Sequence, residues 1–134
     1  MRLKNVLKYQ LPPLLWIALI YVLSSIPKFQ ESLHVPLGFD KIIHAVMFFV
    51  LCLLVRRAFI HQEYFLLLRD HALLGAAIFS IVYGILDEYH QQFTPGRIPD
   101  LYDVLADAGG TLLYVGVFLL ARTAKVKKES SQAG

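Results

Sequence analysis

The stretch from Asp87 to Asp107, DEYHQQFTPGRIPDLYDVLAD, sets carboxylates, histidine and arginine between two apolar segments long enough to enter a bilayer. Charged groups at the edge of hydrocarbon are costly, so such a cluster marks a functional-site candidate. Thr94, Pro95, Gly96 and Pro99 break any helix across its middle, which makes Gln92 to Pro99 a turn with Arg97 near its apex. The segments on either side then descend from the same membrane face.

Working outward, apolar runs occupy residues 11–26, 42–55, 72–86 and, once Asp107 is tolerated, 104–121. With 57% hydrophobic and only 17% charged residues in a 134-residue chain, the balance is that of a small integral membrane protein rather than a soluble domain. A span needs about 20 residues, so the runs borrow polar flanks and the expected helices cover about 11–27, 40–56, 71–91 and 101–122. The fold class is therefore all-α: a polytopic four-transmembrane-helix bundle forming one domain over 1–124, followed by a polar, disordered cytoplasmic tail at 125–134. The first run could also be read as a secretory signal, but no clean small-x-small cleavage site follows Ser24, Ser25 and Ile26.

Charge placement orients the bundle. With the N-terminus inside, Arg2, Lys4, Lys8, Arg56, Arg57, Arg69, Arg122, Lys125, Lys127 and Lys128 are cytoplasmic, whereas only Lys28, Lys41 and Arg97 lie outside. That positive-inside bias predicts an N-in/C-in topology. It also explains the net charge of +3 as topological, so no nucleic-acid partner is expected. The outer face is acidic, and Cys52, the lone cysteine, reads as a packing residue.

Pro12 and Pro13 suit the first turn of a helix, and Pro27 would close it. Between spans one and two, Lys28 to Phe39 carries enough apolar residues to lie in the interface. Arg56 to Asp70 reads as a second interfacial anchor on the cytoplasmic side.

The uncommon polar residues gather at the outer helix ends. Asp40 and His44 share a helix face beside Lys41; Asp87 and Gln91 repeat the four-residue spacing, and Glu88 reaches towards Gln91 or Gln92. Asp100, Asp103 and Asp107 fall on one helical stripe, which carries Asp107 roughly 9 Å below the helix start. Ala106 and Gly110 form a small-x-x-x-small pair at that depth, where another helix can approach. Helix-dipole effects alone account for Asp40, Asp100 and Asp103 at helix starts, but disfavour Asp87 and Glu88 at a C-terminus. The surplus of acids over Lys41 and Arg97 calls for protons or a cation. Tyr83, Tyr89, Tyr102 and Tyr114 read as belt and packing aromatics.

Ser24, Ser25 and Pro27, then Asp40-Lys41-x-x-His44, Asp87-Glu88-x-x-Gln91, and Phe93, Pro95, Gly96, Arg97 and Asp103 together resemble the VanZ-like family of small bacterial membrane proteins, named for a teicoplanin-resistance determinant. The likeness spans all four expected helices. Asp107 departs from it, since the pattern often has asparagine there. The resemblance implies a bacterial cytoplasmic (inner) membrane location, a site facing the periplasm or cell exterior, and a role in lipoglycopeptide tolerance or envelope physiology.

Two functional readings follow. In the first, the protein engages a lipid-linked or lipoglycopeptide ligand through Ser24, Ser25, Asp40, Lys41, His44, Gln91 and Arg97, with membrane lipids as its partners. In the alternative, it is a membrane enzyme acting on a phospho- or glycolipid. There Asp87, Glu88, Asp103 and Asp107 hold a divalent cation such as Mg or Mn, and His44, Asp87, Glu88 and Asp103 are the catalytic candidates. A cation- or proton-coupled carrier ranks third, because no discontinuous or repeated helix pair is evident.

Overall fold

A computed structural model describes residues 3–26, 38–97 and 99–132. The reading of Pro27 as a helix stop, the interfacial reading of 28–37 and the placement of Arg2 fall outside the described residues. Within them the fold is all-α, with four helices long and apolar enough to cross a membrane: α1 (Leu3–Ser25), α2 (Phe39–His61), α4 (Ala72–Gln91) and α5 (Leu101–Gln132). A one-turn helix, α3 (Leu66–Asp70), leads into α4.

Two element boundaries differ from expectation. Helix α1 does not begin at the prolines but at Leu3, and the turn Val6–Gln10 immediately before them is π-helical. Pro12 and Pro13 cannot donate to the preceding turn and crowd its carbonyls, and a widened turn accommodates both effects. The tail expected to be disordered continues α5 as far as Gln132. After Gly116 no glycine or proline interrupts that helix, its residues include strong helix formers, and Lys125 faces Glu129 across one turn at 3.8 Å.

Helix α2 is the hub, packing most extensively on α5 and then α4, while α1 lies against α2 and more lightly against α4. Phe48, Leu51, Cys52 and Val55 recur at helical spacing along the buried face of α2, where they meet Ile20, Ala76 and Tyr114 from the other three spans. Since lipid tails are as apolar as leucine, close packing and interhelical hydrogen bonds must hold these helices together. Among the bonds that fasten α1 are Gln10 Nε2 to the Ala58 carbonyl at 3.0 Å, Trp16 Nε1 to the Met47 carbonyl at 2.9 Å, and Tyr83 Oη to the Ile17 carbonyl at 3.1 Å. The order of the first two pairs along the chain makes α1 and α2 antiparallel.

A close crossing lies at Gly110 of α5. A β-carbon there would stand 1.9 Å from the backbone oxygen of Ala45, so α2 and α5 touch backbone to backbone. Gly84 of α4 is likewise filled in by Asp107 and Phe48 and is buried, which removes it from any surface available for self-association. These two contacts bring the three central helices together at the level of Asp107.

Candidate functional site

Four helix ends meet at one end of the bundle. Ser24 and Ser25 close α1, Asp40, Lys41 and His44 open α2, Asp87, Glu88 and Gln91 close α4, and Asp103 and Asp107 lie in the first two turns of α5. Ser24, Asp87, Glu88, Gln91, Asp103 and Asp107 are all buried.

The acids are divided among several donors. Ser24 Oγ donates to Asp87 Oδ2 at 2.7 Å, and Gln91 Nε2 donates to the same oxygen at 3.2 Å. Glu88 does not turn to Gln91 or Gln92; its Oε1 accepts the backbone N–H of Asp100. That contact resolves the dipole conflict at the end of α4, because Glu88 sits against the start of α5, where a negative group is favoured. Asp100 caps the same helix, its Oδ1 accepting the Tyr102 N–H at 2.9 Å.

Lys41 is the counter-ion. Its ammonium lies 3.0 Å from Asp40 Oδ2 and 2.6 Å from Asp100 Oδ2, and also contacts Asp103 Oδ1. The cation that the acidic surplus requires is thus, for three of the acids, supplied by the chain itself. His44 serves Asp107, with Nδ1 2.9 Å from Oδ1, and its Nε2 lies 4.0 Å from Asp103 Oδ2.

Asp87, Glu88, Asp103 and Asp107 have separate partners, and among the described residues no group of three or more His, Cys, Asp or Glu is arranged to hold a metal ion. A hard divalent cation takes six or more oxygens around one point. The carboxyls here are divided between a hydroxyl and an amide, a backbone N–H, an ammonium and an imidazole.

Arg97, in the turn between α4 and α5, reaches back to the helix ends, donating from Nη1 to Gln91 Oε1 at 2.9 Å and from Nη2 to the Leu23 carbonyl at 3.2 Å. The turn permits this because Gly96 adopts φ +80°, a left-handed conformation that a residue with a β-carbon rarely takes. Thr94 N–H bonds to the Gln91 carbonyl and Arg97 N–H to the Thr94 carbonyl, which tightens the return.

His90 and Thr94 belong to the cluster although the sequence reading singled out neither as a site residue. His90 Nε2 lies 3.1 Å from Ser25 Oγ, and its ring packs on Tyr21 with centroids 4.7 Å apart. Ser25 Oγ also donates to the Tyr21 carbonyl at 2.7 Å. For His90 the signal was present in the sequence, since it follows Asp87 at helical spacing.

Between α1 and α2 lies a cavity of about 50 Å³. Its polar lining comprises Ser24, Asp40, His44, Asp87 and Arg97, and its apolar lining Ile20, Leu23, Ile43, Met47 and Phe48.

Asp100 lies just outside the α5 span, and its hydrogen bond from Lys41 holds its carboxyl below the ordinary value of 3.8. A depressed folded-state value means that the stabilisation is fully present above 3.8 and is lost as pH falls through the lower, folded-state value. Acid titration of thermal stability is expected to show this loss below pH 3.8, and Asp100→Asn should remove that part of the acid response. An unchanged acid limb in the variant would show that the contact does not contribute.

A family model described as VanZ/LLP1 matches residues 2–122. No curated protein and no solved structure matches the chain.

Proposed function

The chain belongs to the VanZ/LLP1 family, and we propose that this four-span membrane protein admits an amphiphilic, lipid-linked envelope molecule sideways from the bilayer. Its polar head sits at Asp40, His44, Asp87 and Arg97, and its apolar portion lies against Ile20, Leu23 and Met47. The observation that carries the reading is that charged and apolar side chains line one cavity at the helix ends. Ligand pockets characteristically combine apolar lining with a few convergent polar groups. With the positive-inside orientation, N-in/C-in, the polar end faces the periplasm or cell exterior, and lipoglycopeptide tolerance would arise from engaging or displacing an envelope lipid there.

Expression in a teicoplanin-susceptible host, with Asp87, Glu88, Arg97 and Asp103 changed singly to alanine, tests the proposal. The variants are expected to reach the membrane and lose ligand binding and any tolerance the parent confers. Indifference of both readouts to all four changes would remove the reading.

A second reading rests on the His44–Asp107 contact. A carboxyl on Nδ1 orients an imidazole for acid–base work at Nε2, as required of an enzyme acting on a phospho- or glycolipid. Lipid turnover by the purified protein that disappears in His44→Gln would favour it.

A further inference from the structure

The end of the bundle opposite the candidate site, where α1 begins and α2 closes, carries cations that no acid answers. At the candidate site Lys41 contacts three carboxylates, whereas among the described residues no Asp or Glu forms an ion pair with Lys8 of α1 or Arg57 of α2. Both residues are exposed, yet both stand over one ring. The Lys8 ammonium lies 5.2 Å and the Arg57 guanidinium 5.1 Å from the centroid of Tyr9.

That ring is fixed from two sides. The π-helical turn Val6–Gln10 brings successive side chains onto α2: Tyr9 stacks on His61, with centroids 3.6 Å apart and planes 6° from parallel, and Gln10 bonds to the Ala58 carbonyl. His61 is held in turn by its Nδ1, which donates to the Arg57 carbonyl at 2.8 Å. Arg56, the next residue along, is engaged elsewhere, its guanidinium 3.7 Å from the Phe118 centroid and bonded to the Tyr114 hydroxyl. A cation–π contact positions a charge without neutralising it. Lys8 and Arg57 are therefore two like charges from different helices, set close together with no counter-ion, an arrangement that concentrates anions.

The neighbouring surface says what carries the anion. Leu7, Leu11 and Leu15, each four residues apart, form an exposed apolar stripe that starts beside Lys8 and runs deeper along α1. Tyr64 and Phe65, just past His61, are exposed as well. Cations bordered by open apolar side chains suit the boundary between head groups and acyl chains, where basic residues attract anionic lipid.

We infer that the face formed by Lys8, Tyr9 and Arg57 binds the phosphodiester head of an anionic phospholipid, with an acyl chain along Leu7, Leu11 and Leu15. This surface is separate from the cavity, and the inference stands or falls independently of lateral binding there.

The test uses the full chain purified in dodecyl maltoside, titrated at constant ionic strength with dioleoyl phosphatidylglycerol, dioleoyl phosphatidylcholine or inorganic phosphate while the thermal unfolding midpoint is followed. Phosphatidylglycerol is expected to raise the midpoint saturably. Phosphatidylcholine, whose phosphate carries its own cation, and inorganic phosphate, which brings no acyl chain, should have little effect. Lys8→Gln and Arg57→Gln, both at exposed positions, should each raise the half-saturating mole fraction of phosphatidylglycerol roughly fivefold, the scale of one basic residue at an anionic membrane surface. Lys127→Gln and Lys128→Gln remove the same charge from the exposed end of α5 and should respond like wild type. Equal weakening by the two pairs of variants would overturn the inference, leaving net charge as the cause. Equal midpoints with the two lipids, or a response to inorganic phosphate matching that to phosphatidylglycerol, would overturn it too.

Discussion

Gly110→Ala is expected to be the most disruptive single-methyl change in this protein. The added β-carbon would stand 1.9 Å from the Ala45 oxygen and 2.6 Å from its carbonyl carbon, contacts that only a separation of α2 and α5 can relieve. Overpacking a well-filled core costs about 1–3 kcal/mol when side chains can adjust, and a backbone obstacle puts this site at or above the top of that range. The displacement would also pull His44 from Asp107 and Lys41 from Asp103, since those pairs bridge the same two helices. Gly116→Ala is the matched control, because a β-carbon there meets nothing within 4 Å. Thermal unfolding in detergent should show a large loss for Gly110→Ala and little change for Gly116→Ala. Equal midpoints would mean that the two helices do not touch at Gly110.

Lys41→Met should have the second-largest effect, through electrostatics rather than volume. It leaves Asp40, Asp100 and Asp103 facing one another without the ammonium that separates them. Removing one partner of a buried ion pair costs about 3–5 kcal/mol. The Lys41 side chain retains 30% exposure and that of Asp100 38%, so solvent screening places the expected loss near the bottom of that range, about 3 kcal/mol. Lys41→Arg should retain most of the stability. Adding Asp103→Asn to Lys41→Met should recover part of the loss, because it removes the most deeply buried of the three exposed charges. A strictly additive double variant would show that Lys41 is not their shared counter-ion.

The architecture was legible because the apolar runs are long and uninterrupted except by residues that break helices, and because Pro95, Gly96 and Pro99 leave no other place for the last turn. Helix lengths were less legible. A stop at Lys125 assumed that polarity ends a helix, whereas polarity ends only the part in hydrocarbon, and helix-forming residues carry α5 on to Gln132.

At the site, periodicity correctly paired Asp87 with Gln91 and placed Asp103 and Asp107 on one stripe of α5, which faces Lys41 and His44. It could not show which helix each stripe would meet. Counting acids does not reveal that Lys41 reaches Asp40, Asp100 and Asp103 or that Glu88 turns to a backbone amide. The inward turn of Arg97 depends on a single left-handed residue, Gly96, whose conformation no side-chain pattern records. Asp107, where the family pattern often has asparagine, is accommodated here by an imidazole, so its carboxyl is paired rather than stranded in the membrane.

The central claim is that an amphiphile enters between α1 and α2 with its head among Asp40, His44, Asp87 and Arg97. The most direct measurement is photo-labelling of the protein in bilayers with an alkyl amphiphile carrying a diazirine in its chain, followed by mass-spectrometric mapping of the labelled residues. The account predicts labelling concentrated on Leu23, Ile43 and Met47, which line the cavity, and selectively reduced there by Asp87→Ala. Labelling spread over outward-facing residues such as Leu112, Val117 and Leu120, with no Asp87-dependent component at the cavity, would contradict it.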